Sequence, residues 1–221
     1  MELKRAIAER RSVRGFLPTP VSVETLRGMA VEAARAASGG NLQPWHVDIV
    51  VGSPLTQLKA IMARALADGE VEKHGYDIYP AALDGLYDER RRAAGEALYG
   101  HLGIPRADRE GRRAWFARNF ALFGAPAAYF VTVERRMGPP QWADLGMFLQ
   151  NLMLLAVGEG LATCPQEAWA MYPTKVEGFL GVPAERMLFC GVAIGIEDPE
   201  EPANRTRSDR APAGEWLYVR E

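Results

Sequence analysis

The sequence predicts an α+β fold in which a mixed β-sheet is flanked by helices. Segments rich in β-branched residues, typical of strands, are separated by segments with helical periodicity, and they alternate irregularly, unlike the strict repeat of a doubly wound sheet. Of the 221 residues, 48% are hydrophobic, which is ordinary for a globular core. No stretch has the composition of a linker, so we expect a single domain over residues 1–221.

The N-terminal part of the chain predicts helices before a first strand. Met1–Arg10 has the pattern of a short helix. Ser22 is a plausible N-cap for a second helix that runs to Ala37, where Ser38-Gly39-Gly40 ends it. Trp45–Val51 (WHVDIVV) has the β-branched content of a strand.

The middle of the chain predicts a long excursion between two strands. In order, we expect a helix at 53–67, an irregular segment at 68–85, helices at 89–102 and 106–122, and a strand at 125–134. A connection as long as residues 70–122 usually serves a function, so we predict a lid. Its aromatic residues, Tyr76, Tyr79, Tyr87, Tyr99, Trp115 and Phe116, suit flat substrates. For Trp115 and Phe116, a small core of the excursion itself is an equally good interpretation.

The C-terminal part predicts a buried helix, two more elements and an arm. Pro140–Gly158 is apolar on nearly every face, which indicates a helix buried on all sides in a domain centre or a subunit interface. We then expect a loop at 160–169, a helix at 172–180, a strand at 186–196, a C-terminal arm at 198–221 and a last strand at Trp216–Val219. One domain has little interior left for this helix and a proline-rich arm, so we predict a homodimer.

Composition excludes several classes of protein. A net charge of −2 argues against a general nucleic-acid binder. Two cysteines, Cys164 and Cys190, cannot form a disulfide framework or a zinc cage, and we expect buried thiols in a reducing cytoplasm. The N-terminus lacks the apolar core of a signal peptide, and the apolar stretch Leu145–Val157 is shorter than the roughly 20 residues that span a bilayer. The prediction is therefore a cytoplasmic protein with no membrane or nucleic-acid partner.

Common catalytic motifs are absent from the sequence. It contains no G-x-G-x-x-G, P-loop, H-E-x-x-H or G-x-S-x-G pattern. None of the 3 histidines has a metal-ligand partner at short spacing, so we predict no metal site. If the protein is an enzyme, its chemistry is expected to belong to a cofactor, and we assign no catalytic side chain.

Two segments combine residues suited to a phosphate. Arg10-Arg11-Ser12-Val13-Arg14 presents three guanidiniums, whose fixed forks of N–H donors match phosphate oxygens. Asn204–Pro212 carries Arg205, Arg207 and Arg210 on an extended arm. Each segment taken alone also fits a purely structural role. The first could be a helix C-terminus, where cations are favoured, and the second a solvent-exposed tail.

Two further segments combine residues suited to a flat ring. In Ser38–Trp45 (SGGNLQPW), the glycines permit close approach of the backbone, and Asn41 and Gln43 offer donors and acceptors. In Gly160–Trp169 (GLATCPQEAW), Pro165 holds a loop that would aim backbone groups at a ring. Alone, each also fits an ordinary connection between elements.

In this order and spacing, the four segments resemble the FMN-dependent nitroreductase family over nearly the whole chain. The nearest resemblance is to nitroaromatic and nitrobenzoate reductases with a long middle insertion. It implies an intertwined homodimer with an extended C-terminal arm and two FMN molecules at the interface. It also implies NADH or NADPH as a transient electron donor and a small aromatic acceptor.

The resemblance assigns cofactor-binding roles by segment. The candidates are Arg10, Arg11, Ser12, Arg14, Ser38, Gly39, Asn41, Gln43, Pro165, Gln166, Glu167, Arg207 and Arg210. It places the first and fourth segments on the FMN phosphate, with Arg14 at the pyrimidine edge and Arg205 able to replace either arm arginine. The second segment, from the partner subunit, would line the ribityl chain and ring, and the third would cover the other ring face.

The expected activity is an FMN-dependent NAD(P)H oxidoreductase that reduces nitroaromatic or quinone-like substrates by ping-pong hydride transfer. Alternatives on the same scaffold are reductive dehalogenation, ene reduction and flavin-consuming oxygenation. A non-catalytic flavin- or nucleotide-binding dimer and a plain helical interaction domain also remain open.

Overall fold

An antiparallel four-stranded sheet organises the molecule. The structure, a computed structural model, describes residues 2–221, so the predicted helix start at Met1 lies outside it. The strands are β1 (His46–Val51), β2 (Ala127–Glu134), β3 (Ala162–Gln166) and β4 (Arg186–Gly195), in the spatial order β1-β2-β4-β3. Neighbouring strands pair antiparallel, and an isolated bridge from Ser12 to Thr163 is parallel.

Helices cover both faces of this sheet. They are α1 (Leu3–Glu9), α2 (Val23–Ala33), α3 (Gly52–Ala67), α4 (Gly85–His101), α5 (Arg109–Ala117), α6 (Pro139–Gly158) and α7 (Pro173–Leu180). Short 3-10 turns lie at Gly39–Asn41, Arg118–Gly124, Glu167–Met171, Pro202–Arg205 and Ala213–Glu215. No helix within residues 2–221 is long and apolar enough to cross a membrane.

The two central strands, β2 and β4, are buried on both faces, so their sequences are apolar almost without interruption. Tyr129 and Val131 of β2 pack in the core beneath α2 and α6. Ala128 and Phe130 point to the opposite core, which includes residues of α3 and Trp169. The predicted helix–sheet–helix arrangement is therefore confirmed.

The third segment was expected to be a loop, and this prediction is wrong. Residues Ala162–Gln166 form strand β3, which pairs with β4 along its whole length. Pro165 is tolerated because β3 is an edge strand, whose outer side is partly covered by the Val13 N–H donating to the Thr163 carbonyl at 2.9 Å.

The predicted last strand at Trp216–Val219 is not formed in the single chain. A 3-10 turn precedes these residues, and they have no ladder partner in the described chain. Their exposures of 62%, 53%, 76% and 76% leave a run of four large side chains in solvent. Large apolar and aromatic side chains are typical of strands, but a strand also needs a neighbouring strand to pair with.

Three predicted helices have different limits in the structure. Helix α4 begins at Gly85 instead of Glu89. Helix α2 ends at Ala33 instead of Ala37. Helix α5 ends at Ala117, where 106–122 was expected to be continuous. In the turn that follows, Leu122 and Phe123 have φ of 54° and 52°, and both are buried in the core. Packing of these side chains outweighs the helical preference of the segment.

Helix α6 is buried on its inner face but not on all sides of the single chain. Leu145, Phe148 and Leu152 are fully enclosed. Met147 on the opposite face is 41% exposed, and Leu3 and Ile7 of the neighbouring α1 are more exposed still. The single chain therefore leaves an apolar surface open along α1 and α6.

The excursion is fixed to the body at its start. The Gly75 N–H donates to the Ala170 carbonyl at 3.0 Å, and the Tyr76 hydroxyl donates to the carbonyl of Phe189, a bulged residue of β4. Trp115 is buried beside Phe123, whereas Phe116 is exposed. Helix α4 buries little of its own surface. The lid at residues 70–122 thus remains a prediction.

Candidate functional site

The first and fourth predicted segments meet at one cavity of about 590 Å³, here named the arginine cavity. Its wall contains Arg10, Arg11, Ser12, Arg14, Gln150, Thr206, Arg207, Ser208 and Arg210. Arg205 does not line it, so the geometry favours Arg207 and Arg210 as the arm residues of this cavity. Residues from the two ends of the chain are therefore brought together as expected.

Asn204, which the sequence analysis did not select, joins the two segments. Its buried side chain accepts a hydrogen bond from the Arg14 N–H at 2.7 Å and donates to the carbonyls of Gly15 and Asp198, both at 2.9 Å. These hydrogen bonds hold the start of the arm against the end of the first segment. Its only sequence signal was a polar amide just ahead of the arm arginines.

Four guanidiniums at the arginine cavity form no ion pair with a carboxylate of the described chain. Arg10 contacts the Met153 sulfur at 4.0 Å, and Arg14, Arg207 and Arg210 donate to backbone carbonyls. Burial lowers the pKa of Arg10, and the nearby charge of Arg210 lowers it further. Clustered cations that form no ion pair are suited to a multiply charged anion, and the Glu9 carboxylate of the same wall pairs with Arg5 instead.

Arg11 differs from these four residues. Its guanidinium forms an ion pair with Glu197, although its Nε is buried without a partner. Its side chain also borders a second cavity of about 210 Å³ beside Thr163. Its contribution to cofactor binding stays a prediction.

The third predicted segment lies at a larger cavity of about 980 Å³, here named the aromatic cavity. Its wall includes Pro165, Gln166 and Glu167 on one side and Tyr79, Tyr99, Trp115, Phe116 and Asn119 of the excursion on the other. Arg14, Thr206 and Ser208 line both cavities, so the two spaces adjoin. Three of the four segments thus form a continuous site.

Gln166 is fixed at this wall by Asn119, which the sequence analysis also missed. The Gln166 Nε2 donates to the Asn119 carbonyl at 2.8 Å and to its Oδ1 at 3.2 Å. The Asn119 Nδ2 in turn donates to the Phe116 carbonyl at 2.8 Å. The Gln166 Oε1 is buried and has no partner in residues 2–221.

Ionisable groups near the third segment are shifted toward their neutral forms. Desolvation raises the pKa of the Glu167 carboxyl. Burial raises the pKa of Cys164 to about 11, although the charge of Arg14 acts in the opposite direction. Burial also raises the pKa of Cys190. Both cysteines are free and buried, as predicted, and at neutral pH neither is the thiolate that a nucleophile requires.

The second predicted segment, residues 38–43, lies apart from both cavities and is named the asparagine loop. None of Ser38, Gly39, Asn41 and Gln43 lines the arginine or the aromatic cavity. The Gly39 N–H donates to the buried Asp144 carboxylate, with N···O distances of 3.2 and 3.3 Å, and the Gln43 N–H donates to the Ser38 Oγ at 3.0 Å. The single chain does not bring this segment to the other three.

The asparagine loop is strained as well as exposed. Gly40, Asn41 and Gln43 have φ of 58°, 57° and 48°, a left-handed region that favours glycine. The side chains of Asn41 and Gln43 are exposed to solvent. Strain of this kind clusters at functional sites, where a particular backbone shape is needed.

Comparisons with known proteins agree with this arrangement. A family model described as the nitroreductase family matches residues 7–196. The 4-nitrobenzoate reductase of Pseudomonas putida is 34% identical over 207 residues, which are 94% of this chain and 90% of that protein. The nitrobenzene nitroreductase of Ectopseudomonas oleovorans is 34% identical over 203 residues, 90% of this chain and 88% of that protein.

Two solved structures are similar over essentially the whole fold. The FMN- and NADPH-dependent nitroreductase NfnB from Sphigopyxis sp. strain HMH is 44% identical, with a TM-score of 0.96 and full coverage of both chains. The FMN-dependent nitroreductase NfnB from Mycobacterium smegmatis, solved with NADPH, is 31% identical, with a TM-score of 0.94 over 99% of this chain and 97% of that one. The fold, the gathered segments and these matches together show that the chain belongs to the nitroreductase family.

Proposed function

We propose that this protein is an FMN-dependent NAD(P)H oxidoreductase that reduces nitroaromatic or quinone-like compounds in a ping-pong reaction. The observation that carries the proposal is the cluster of four guanidiniums without carboxylate partners, which opens beside a large aromatic cavity. Phosphate-binding and ring-binding surfaces are therefore adjacent on one chain. The chemistry that FMN supplies when bound is the storage of a hydride's two electrons between donor and acceptor.

The residues at the site fit FMN. Its phosphate is close to dianionic, and Arg10, Arg207 and Arg210 offer charge-assisted N–H donors that form no ion pair in the described chain. The Glu9 carboxylate also lines this cavity, but it pairs with Arg5. Arg14 lies at the boundary of the two cavities, where its charge would face the edge of the ring. Pro165, Gln166 and Glu167 would cover a ring face from β3. Arg11 and Ser12 line the same cavity and would also contact the cofactor there.

The side chains act mainly by binding and orienting. The positive charge of the Arg14 guanidinium would lie at the pyrimidine edge of FMN, where it would favour electron-rich states of the ring and so hydride uptake. Tyr79, Tyr99 and Phe116 offer apolar faces on which a nicotinamide or a nitroarene can stack in turn. Donor and acceptor would occupy the same cavity, and no protein acid or nucleophile is required.

We propose that the working unit is a homodimer in which the partner's asparagine loop completes each site. The loop is strained, exposed and remote from its own chain's cavities, which suits a contact supplied to another subunit. The apolar surface of α1 and α6 and the segment Trp216–Val219 are exposed in the single chain. Burial of these side chains against a second subunit would suit an obligate interface. A monomer in sedimentation at micromolar concentration would contradict this arrangement.

We propose nitroaromatics as substrates because the similar proteins are named for 4-nitrobenzoate, nitrobenzene and chloronitrobenzene. NADPH is the donor we expect first, since two similar solved enzymes are described with it. The two buried free thiols are consistent with the predicted reducing compartment, the cytoplasm.

Spectroscopy and steady-state kinetics test the proposal together. The purified protein should show flavin absorbance that anaerobic NAD(P)H bleaches and a nitroarene restores. Initial rates at several fixed NAD(P)H concentrations should give parallel reciprocal plots. Intersecting plots would contradict a shared cavity. A flavin spectrum that NAD(P)H leaves unchanged would favour the non-catalytic flavin-binding dimer instead.

A further inference from the structure

The asparagine loop does not select its own shape. Gly39 and Gly40 lie at its start, and glycine permits many backbone conformations without favouring one of them. Asn41 and Gln43 then adopt positive φ, which is unfavourable for residues other than glycine and persists only where surrounding contacts enforce it. A contact from outside the loop is therefore expected to hold this conformation.

Hydrogen bonds within the loop leave its first N–H group without a local acceptor. The Asn41 N–H donates to the Ser38 carbonyl at 2.9 Å. The Ser38 Oγ could cap the 3-10 turn, but it accepts from the Gln43 N–H instead. The first N–H groups of a helical turn need an acceptor from elsewhere. For the Gly39 N–H, this acceptor is Asp144 of α6.

Asp144 is buried, and its carboxylate makes this contact alone within residues 2–221. The residue is 4% exposed and forms no ion pair in the described chain. Both of its carboxylate oxygens accept from the Gly39 N–H, with N···O distances of 3.2 and 3.3 Å. A buried carboxylate with a single N–H donor contributes little to the stability of its own chain. Its position under the loop therefore favours a role in the shape of the loop.

Helix α6 holds both ends of the loop and also reaches the arginine cavity. After the loop, the Trp45 ring stacks on Phe148 of α6, with 5.4 Å between ring centroids and 20° between ring planes. Gln150, further along the same helix, lines the arginine cavity. One helix thus carries the anchors of a loop offered to the partner and part of the wall of its own chain's site.

We propose that Asp144 is a positioning residue for the FMN site of the partner subunit. Its carboxylate fixes the Gly39 N–H and thereby the backbone that presents Asn41 and Gln43. Asp144 lines neither the arginine cavity nor the aromatic cavity, so its effect on FMN passes through the loop into the other subunit. The proposal rests on the function and the homodimer proposed above, and it adds the group that gives the loop its binding shape.

The first test measures the loop and FMN binding in the apoprotein. Asp144→Ala removes the acceptor, so the backbone amides of residues 39–43 should exchange with deuterium about 2- to 30-fold faster, the range for a lost N-cap. FMN affinity, from flavin fluorescence during titration, should fall within the same range because fewer molecules hold the binding shape. Asp144→Leu keeps the branched side chain without an acceptor, and it replaces the alanine variant if that chain does not fold.

Two further variants separate positioning from general damage to α6. Asp144→Asn keeps an acceptor oxygen and should retain most of the wild-type amide protection and FMN affinity. Gln141→Ala removes the side chain whose Oε1 accepts from the Gly138 N–H at the start of α6, and this side chain does not touch the loop. Gln141→Ala should therefore leave the exchange of residues 39–43 and the FMN affinity unchanged.

Subunit mixing shows in which subunit the effect appears. Activity is assayed at an FMN concentration that fills wild-type sites and leaves most variant sites empty. An Asp144→Ala chain mixed with an Arg10→Ala/Arg207→Ala chain should recover activity, because each mixed dimer has one site with intact arginines and an intact loop. Mixed with an Asn41→Ala chain it should recover none, because both chains then supply a defective loop. Damage to α6 itself would reach the arginine cavity through Gln150 and prevent recovery in both mixtures.

Wild-type amide exchange and FMN affinity in Asp144→Ala would overturn the proposal, and so would recovery of activity with the Asn41→Ala chain. Absence of recovery with the Arg10→Ala/Arg207→Ala chain would also overturn it when the Asn41→Ala chain does recover with that same chain. Failure of the homodimer proposal is distinct, because the Asn41→Ala chain would then recover with neither. Failure of the proposed function is also distinct: the wild type would lack flavin or resist reduction by NAD(P)H.

Discussion

The arginine cavity and the asparagine loop both carry predicted cofactor-binding residues, yet the chain assembles them differently. The cavity is complete within one chain: Asn204 joins its two segments, and four guanidiniums without ion pairs face the same space. The loop has a defined shape, held by Asp144 and by its own hydrogen bonds, but it faces none of the other segments. The difference supports the proposal that one chain supplies the phosphate-binding residues and that the partner's asparagine loop completes the site.

The largest effect should come from the arginine cavity. Replacing Arg10 or Arg207 by Ala removes a charge-assisted contact of roughly 1.5–3 kcal/mol, so FMN affinity should fall about 10- to 150-fold for each variant. Flavin fluorescence during titration of the apoprotein measures it. Arg205→Ala is the matched control, because this residue lies on the same arm but outside the cavity wall. Full FMN retention in the Arg10/Arg207 double variant would show that the phosphate binds elsewhere.

Subunit mixing tests directly whether the loop acts in trans. An Arg10→Ala/Arg207→Ala chain and an Asn41→Ala chain should each be nearly inactive as homodimers. Random exchange makes half of the dimers mixed, and each mixed dimer regains one intact site, so about a quarter of the sites should recover activity. No recovery after exchange, with mixed dimers verified by mass spectrometry, would place the loop at its own chain's site.

The left-handed backbone at Asn41 allows stability and FMN binding to be separated by substitution at this position. Asn41 has φ of 57°, so Asn41→Gly should leave the free energy of unfolding unchanged or slightly higher, while Asn41→Ala should lower it by about 1 kcal/mol. Both variants remove the amide and should weaken FMN binding in the dimer. Urea unfolding of the apoprotein measures the first effect and FMN titration the second. Unchanged FMN affinity in both variants would mean that the loop is strained for another reason.

The smallest effect concerns Glu167 at the aromatic cavity. Desolvation raises the pKa of its carboxyl, so the folded chain binds the carboxyl proton more tightly than the unfolded chain does. The protonated carboxyl therefore contributes to the free energy of unfolding at pH values below its pKa in the unfolded chain. This contribution is lost as the pH rises through its pKa in the folded chain. Glu167→Gln should therefore be more stable than the wild type at pH 7, and the difference should vanish in mild acid. Urea unfolding at pH 4 and pH 7 checks this, and an equal difference at both values would contradict it.

The helices, the three long strands and three of the four candidate segments are predictable from the sequence for local reasons. Helical periodicity defines α3 and α6 within a residue or two, and β-branched content defines β1, β2 and β4. Arginine clusters are suited to phosphate wherever they lie, because charge and fork geometry belong to the side chain. Their order along the chain then carries the family resemblance.

The tertiary structure decides where these pieces act. Strand β3 forms because β4 offers it an edge, whereas Trp216–Val219 pairs with no strand of the described chain. Asn204 and Asn119 matter through partners that are 190 and 47 positions away in sequence, so no local pattern reveals them. Pairing and burial depend on neighbours in space, whereas propensity and charge depend only on the residue itself.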